Sequence, residues 1–257
     1  MHPILFNIGK LTLKTYGLFV AIGVLLGYNY ARYYGVRLKN INSEFLSNLL
    51  FYSILIGFLG GRLFYVILNY SYYSSDLIGI FRVWEGGFVF YGGFILGSLF
   101  GVLYTYIKKQ NLLDILDVVA AGLYLGLSIG RIGCFFAGCC YGKPTESCLG
   151  VIFSDPESLA PIGVKILPTQ LFESVYSFLI FLLLNFLLQK GKLQHRLFFL
   201  GGMIYAVFRF ANEFLRGDDR GGTLFGLYPS QFISIIIFVL FFVLFFYISK
   251  WKEKYSK

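Results

Sequence analysis

Gln231–Ser249 reads QFISIIIFVLFFVLFFYIS, nineteen residues without one charged side chain. A helix of that length rises roughly 28 Å, close to the 30 Å thickness of a bilayer's hydrocarbon core. Its phenylalanines ring the whole helix, so no single amphipathic face exists to lay on a soluble core. Six further apolar runs precede it: Thr15–Tyr34, Phe45–Leu68, Phe88–Ile107, Leu112–Ile129, Leu171–Leu188 and Leu197–Phe214. None alternates with the period of two that a transmembrane β-strand shows. The runs predict an all-α polytopic membrane protein with about seven transmembrane helices. The fourth is expected to dissolve into the Gly/Cys-rich stretch that follows it.

Composition agrees. Of the 257 residues, 57% are hydrophobic and 20% aromatic, while 14% are charged, against about 25% charged in soluble domains. A soluble domain of this size could not bury so much apolar surface, and a disordered chain would lack the aromatics. The net charge, 22 − 13 = +9, reads first as topology rather than as a nucleic-acid patch. Arg32, Arg37, Lys39, Lys108, Lys109, Lys190, Lys192, Arg196, Lys250, Lys252, Lys254 and Lys257 fall on one side of the seven spans. On the other, Lys10, Lys14, Arg82, Lys143, Lys165, Arg216 and Arg220 are mixed with acids that include Glu85. The positive-inside rule then places the N-terminus outside and the C-terminus in the cytoplasm. The first span, ending Ala31-Arg32-Tyr33-Tyr34, lacks a small-residue cleavage site and is read as an anchor. No linker or repeat divides residues 1–257, so a single transmembrane domain is expected, with an extracytoplasmic loop around 134–169.

Three arginines interrupt apolar spans: Arg62, Arg131 and Arg209. Each costs several kcal/mol facing lipid and needs a counter-charge or a wet cavity. Tyr205, Arg209 and Glu213 recur every fourth residue and so share one helix stripe. That stripe is either an internal ion pair or half of a phosphate site, since a guanidinium can grip phosphate oxygens in pairs. Arg131 sits among Gly130, Gly133, Gly138 and Gly142, where the backbone is expected to leave the helix and offer N–H groups to an anion. The competing reading is close helix packing through small residues. Glu173, entering the fifth span after Pro168-Thr169-Gln170, calls for a polar pocket. Asp114 and Asp117 are placed in the first turn of a helix, where carboxylates suit the dipole. Cys134, Cys139, Cys140 and Cys148 crowd one segment without a paired C-x-x-C or a nearby histidine. A structural role ranks ahead of a disulfide there, and a metal site comes last.

Together these segments resemble the bacterial prolipoprotein diacylglyceryl transferase family over nearly the whole chain. The resemblance is carried by Tyr16-Gly17-Leu18, Gly61-Arg62-Leu63, Gly92-Gly93, the signature opening at Gly130-Arg131, Pro168-Thr169-Gln170-Leu171 with Glu173, and Arg209-Phe210-Ala211-Asn212-Glu213-Phe214. It implies transfer of the diacylglyceryl group of phosphatidylglycerol to the lipobox cysteine of a prolipoprotein signal peptide, with glycerol phosphate released. It also implies a multi-pass protein of the bacterial inner membrane that works on membrane lipids, with no cofactor, no metal and no nucleic acid. By the same resemblance Arg131 and Arg209 hold the lipid phosphate, Glu213 orients Arg209, and Tyr16 and Tyr205 shape the pocket. Arg62, Gly92, Gly93, Gly130, Gly133, Cys134, Gly142, Gln170 and Glu173 complete the expected substrate site, and Tyr91 stands at a catalytic position. The sequence departs from the family pattern at Tyr91 and Leu167, which replace histidines, at Cys134, which replaces asparagine, and at Cys139, which replaces an acid. A redirected relative with another acceptor, or an anionic-lipid transporter, are the alternatives; a transporter would be expected to carry structural repeats.

Overall fold

The computed structural model describes residues 2–8, 11–83, 86–220, 222–223 and 225–255; Lys10, Glu85 and Lys257, counted above, lie outside them. An antiparallel hairpin, β1 (Ile4–Ile8) and β2 (Leu11–Lys14), leads into α1 (Thr15–Lys39). There follow α2 (Ser43–Leu68), the single turn α3 (Tyr70–Tyr73), a 3-10 turn (Ile78–Phe81), α4 (Phe90–Ile107) and α5 (Leu112–Ala137). Two short strands, β3 (Val151–Ile152) and β4 (Lys165–Ile166), pair antiparallel before α6 (Thr169–Gln189), α7 (Leu197–Glu213) and α8 (Pro229–Tyr255). The protein is thus mainly helical. All seven apolar runs are helices, and α2, α4, α5, α6 and residues Pro229–Lys250 of α8 are long and apolar enough to cross a membrane. α1 carries five tyrosines, Asn29, Arg32, Arg37 and Lys39, and α7 is 17 residues long and closes on Arg209, Asn212 and Glu213.

The chain forms two compact units, Tyr34–Ile115 on one hand and Met1–Tyr33 with Leu116–Lys257 on the other. In the first, α2 and α4 meet through glycine. A Cβ on Gly60 would stand 2.8 Å from the Gly92 carbonyl oxygen, and one on Gly93 would stand 2.7 Å from that of Gly57. Close backbone approach of this kind is how helices gain dispersion contact in lipid, where burial against a neighbour has no hydrophobic drive. Lys39 pairs with Asp114 at 2.7 Å, fixing the start of α5.

In the second unit the same device joins α1 to α5: Gly23 faces Gly126 and Gly27 faces Gly122, each so close that a Cβ would come within 2.6 Å of a carbonyl oxygen. Asp117, fully buried, does not serve its own helix. Its carboxylate accepts from the backbone N–H groups of His195 (2.6 Å) and Leu197 (3.0 Å) at the start of α7. Those are the donors that a helix start leaves unpaired. The loop after α5 is folded rather than loose, with Phe153, Ala160 and Ile166 forming a small core against Phe135, Tyr141 and Val151.

The fourth run does not dissolve where expected. α5 stays helical through Gly130, Arg131 and Gly133 and ends at Ala137, so the N–H groups of Gly130 and Gly133 are spent inside the helix. Gly133 is required there by packing, since a Cβ would meet Phe19 Cβ at 2.8 Å and the Tyr16 carbonyl at 3.1 Å. The chain leaves the helix at Gly138, at φ 76°.

Candidate active site

The site in the second unit grows from one buried carboxylate. Glu173, in the second turn of α6, is 1% exposed. It accepts from the Arg131 guanidinium of α5 (Nη2–Oε1, 2.9 Å) and from the Tyr205 hydroxyl of α7 (2.6 Å). Three helices are thereby tied at one point, and a second tie lies a turn away, where the Ser174 hydroxyl donates to the Ser128 carbonyl at 2.7 Å.

Arg131 is not saturated by these partners. Its Nη1 reaches the Cys140 sulfur at 3.7 Å, and its Nε is buried with no hydrogen-bond partner among the described residues. The Tyr176 hydroxyl, also buried, is likewise unpartnered among them. The Tyr176 ring stacks on Phe208 at 5.3 Å, and both Tyr176 and Tyr205 stand within electrostatic reach of Arg131 and Arg209. One turn beyond Tyr205, Arg209 donates from Nη1 to Glu213 at 2.6 Å. Glu213 is shared: its other oxygen accepts from Arg220 at 2.8 Å. Arg209 therefore keeps donors that no described residue takes up. A guanidinium with spare donors beside a buried hydroxyl suits an anionic oxygen ligand.

The loop closes the site from one side. Gly142 lies where three segments cross: its N–H donates to the Leu167 carbonyl at 2.8 Å, and a Cβ would sit 2.6 Å from that oxygen and 2.9 Å from the Leu215 oxygen. Thr169 and Gln170 pin the carbonyls of Cys140 and Cys139, each at 2.7 Å. The sulfurs of Cys134, Cys139 and Cys140 all lie within 4.8 Å of one another. Hydrogen bonds from the Cys134 and Cys139 sulfurs, with the charges of Arg216 and Arg131, hold the Cys140 thiol below the usual thiol range. Burial opposes the charge on Arg216, but its two bonds to Asp218 outweigh that and keep it firmly protonated.

Arg131, Glu173, Tyr205, Gln170 and Cys134 thus converge, with Gly142 at the loop junction and Arg209 with Glu213 on the adjoining turn. Tyr16, in the first turn of α1, is within electrostatic reach of Arg131 and the cysteines. A Cβ on Gly130 would meet nothing within 4 Å. The remaining expected residues belong to the other unit, and there the geometry speaks for structure. All five N–H donors of Arg62 are taken by backbone carbonyls, those of Gly79, Ile80, Arg82, Gly86 and Gly87. Gly92 and Gly93 serve the contact of α2 with α4. Tyr91, 54% exposed in the first turn of α4, packs its ring edge on Phe90. The sequence did not single out Tyr176, weighed Cys140 only as one of four clustered cysteines, and counted Arg220 only among the charges of one side; Arg220 lies past the end of α7, where helical spacing no longer finds partners.

Fold and site define a mainly helical protein with five helices long and apolar enough to cross a membrane, in which two guanidinium groups are oriented by buried carboxylates and left with spare donors. Residues 3–247 match the family model described as prolipoprotein diacylglyceryl transferase, and the chain belongs to that family. It is 38% identical to the phosphatidylglycerol–prolipoprotein diacylglyceryl transferase 2 of Clostridium perfringens, over 92% of this chain and 91% of that one. It is also 37% identical to the phosphatidylglycerol–prolipoprotein diacylglyceryl transferase of Clostridium tetani, over 91% and 93%. The transferase of that name from Staphylococcus aureus is 32% identical, over 92% and 85%.

Proposed function

We propose that this protein transfers the diacylglyceryl group of phosphatidylglycerol to the lipobox cysteine of prolipoproteins, the first step of lipoprotein maturation. The reaction forms a carbon–sulfur bond and breaks the bond between the diacylglyceryl carbon and a phosphate oxygen. The electron pair of that bond leaves with glycerol phosphate, so negative charge gathers on the phosphate as the transition state forms. Groups aimed at developing charge in a dry site are the largest single source of rate enhancement in many enzymes. Arg131 and Arg209 fill that role: their spare donors take phosphate oxygens, while Glu173 and Glu213 fix the planes of the two guanidinium groups. Tyr205 holds Glu173, Tyr176 offers a hydroxyl to the same ligand, and Tyr16, Gly130, Gly133, Cys134, Gly142 and Gln170 shape the space around it. Arg62 has no donor left for a ligand and is assigned to structure.

The observation that carries this reading is the buried, unpartnered Nε of Arg131 beside its ion pair with Glu173. An unmet buried N–H costs about 1–3 kcal/mol, which a ligand oxygen at Arg131 would recover. The excess of lysine and arginine on one side supports seven spans in the bacterial inner membrane, with the N-terminus outside and the site towards the outer leaflet. The test is transfer in proteoliposomes of phosphatidylglycerol with a lipobox peptide, read by mass spectrometry. A diacylglyceryl adduct on cysteine is expected; folded protein that binds the lipid and forms no adduct would refute the assignment.

A further inference from the structure

The sulfurs of Cys134, at the end of α5, and of Cys139 and Cys140, just beyond it, lie within 4.8 Å of one another, and all three are free thiols. They stand beside two guanidinium groups. Arg131 reaches the Cys140 sulfur from Nη1 at 3.7 Å, and the charge of Arg216 acts on the same sulfur. The transfer reaction proposed above gives Cys140 no part. Its backbone sits at φ 61°, with its carbonyl held by the Thr169 hydroxyl at 2.7 Å. That conformation costs a non-glycine residue about 1–3 kcal/mol, so packing alone would favour glycine at 140.

The three thiols are not equivalent. Cys140 is half-buried, and hydrogen bonds from the Cys134 and Cys139 sulfurs join the two guanidinium charges in favouring its thiolate. Cys139 is held the other way. Its bonds to the neighbouring sulfurs, with burial, push its thiol above the usual range, and it donates to the Cys134 carbonyl at 3.7 Å. A thiolate in electropositive, partly exposed surroundings is the kind of cysteine that oxidants reach first. A second thiol in reach then decides the product. Cys139 is a poor partner for Cys140, because adjacent Cα atoms stand about 3.8 Å apart and disulfides favour roughly 4.4–6.8 Å. Cys134, across the reversal at Gly138, escapes that constraint.

We propose that Cys140 is an oxidation site for hydrogen peroxide and that Cys134 resolves it, the two forming a reversible disulfide beside Arg131. The Cys140 thiolate attacks one peroxide oxygen; a sulfur–oxygen bond forms, the oxygen–oxygen bond breaks, and hydroxide leaves to take a proton from solvent. Cys140 is then a sulfenic acid, oxidised by two electrons. The Cys134 sulfur attacks the Cys140 sulfur, the sulfur–oxygen bond breaks, and the departing hydroxide takes the Cys134 thiol proton as water. An external dithiol reverses the bond by exchange. The consequence for transfer rests on the transferase reading. Reduced Cys140 sets a negative charge beside Nη1 of Arg131, where it competes with lipid phosphate, and the disulfide removes that charge. Oxidised protein therefore holds phosphatidylglycerol more tightly.

Full-length protein in detergent, reduced and then freed of reductant, should be treated with hydrogen peroxide and its thiols followed by isotope-coded alkylation and mass spectrometry. Two of the four thiols should be lost, Cys140 reacting at least about tenfold faster than the exposed Cys148. Chymotryptic cleavage after Phe135 and Phe136 separates Cys134 from Cys139 and Cys140, so the disulfide appears as two joined peptides that a dithiol releases. Cys139→Ser should still form it, and Cys140→Ser should not. Oxidation of Cys148 as fast as Cys140, sulfinic acid at Cys140 with Cys134 still free, or joined peptides that persist in Cys140→Ser overturns the site. The first two are read on the wild-type protein, so the test survives a variant that fails to fold. In the transfer assay the oxidised protein should show a KM for phosphatidylglycerol lower by about fivefold or more. An unchanged KM keeps the disulfide and overturns its coupling to Arg131. A disulfide in protein that transfers nothing in either state keeps the site and overturns the transferase instead.

Discussion

Arg131→Ala tests the phosphate-holding role only if its structural cost is separated from its chemical one. Glu173 is 1% exposed and bonds to Arg131 and Tyr205. Removing the guanidinium strands a buried carboxylate on one hydroxyl, which costs about 3–5 kcal/mol of stability. The double variant Arg131→Ala/Glu173→Gln removes the stranded charge and keeps an acceptor for Tyr205, so most of that loss should return. The chemistry should not. Nε and the remaining Nη donors supply at least two charge-assisted bonds to phosphate, each worth about 1.5–3 kcal/mol. At 1.36 kcal/mol per decade, their loss is roughly a 10²- to 10⁴-fold drop in transfer rate. Thermal unfolding in detergent measures the first quantity, and adduct formation on a lipobox peptide measures the second. A double variant that unfolds near the wild-type temperature and transfers within about tenfold of it would refute the argument. Arg131 would then be no more than the counter-ion of Glu173.

Arg131→Lys should keep the pair with Glu173 yet lose transfer by about 100-fold or more, because an ammonium cannot face carboxylate, sulfur and phosphate in one plane; the same assay reports it. Tyr91→Phe should leave transfer within a few-fold, since the ring is exposed and packs on Phe90; a loss of about a hundredfold, the scale of acid–base groups, would place its hydroxyl in the chemistry. Arg62→Ala should loosen the backbone at Gly79, Ile80, Arg82, Gly86 and Gly87 by orphaning their five carbonyls. Faster proteolysis between residues 74 and 89 would report it, and unchanged proteolysis would count against the structural role.

What the sequence disclosed follows from the range of the forces involved. The apolar runs were legible because lipid demands about 20 apolar residues per crossing whatever the neighbours do. Tyr205, Arg209 and Glu213 were legible as a stripe because helical spacing is local. The end of α5 was not. Glycine at 130 and 133 weakens a helix in isolation, but α1 packs against α5 at Gly133, and that contact appears nowhere in the local sequence. Asp117 was misread for the same reason, being placed by local logic at its own helix start while it caps α7. The hairpin before α1 went unread because its strands are only five and four residues long; the Gly9-Lys10 pair between them was the available turn signal. The cysteine cluster depends on a reversal at Gly138 and on hydrogen bonds from α6, both set by residues distant in sequence.

The three arginines that fall in the apolar runs show why burial alone does not mark a functional residue. Each faces the same desolvation cost, and the structure meets it in different currencies. Arg62 spends all five donors on backbone carbonyls and adds the faces of Tyr65 and Tyr73 at 5.8 and 5.4 Å; its charge is spread over backbone oxygens, with no carboxylate involved among the described residues. Such an arrangement is complete without a ligand. Arg131 and Arg209 instead meet buried carboxylates through single Nη contacts and keep donors in reserve. A carboxylate fixes the guanidinium plane while leaving its other edge for a second anion, which carbonyls wrapped around the whole group cannot do. Among these arginines, then, the sign of a binding residue is incomplete satisfaction beside a fixed counter-charge. By that measure Arg131 and Arg209 are the pair to mutate for chemistry, and Arg62 the one to mutate for fold.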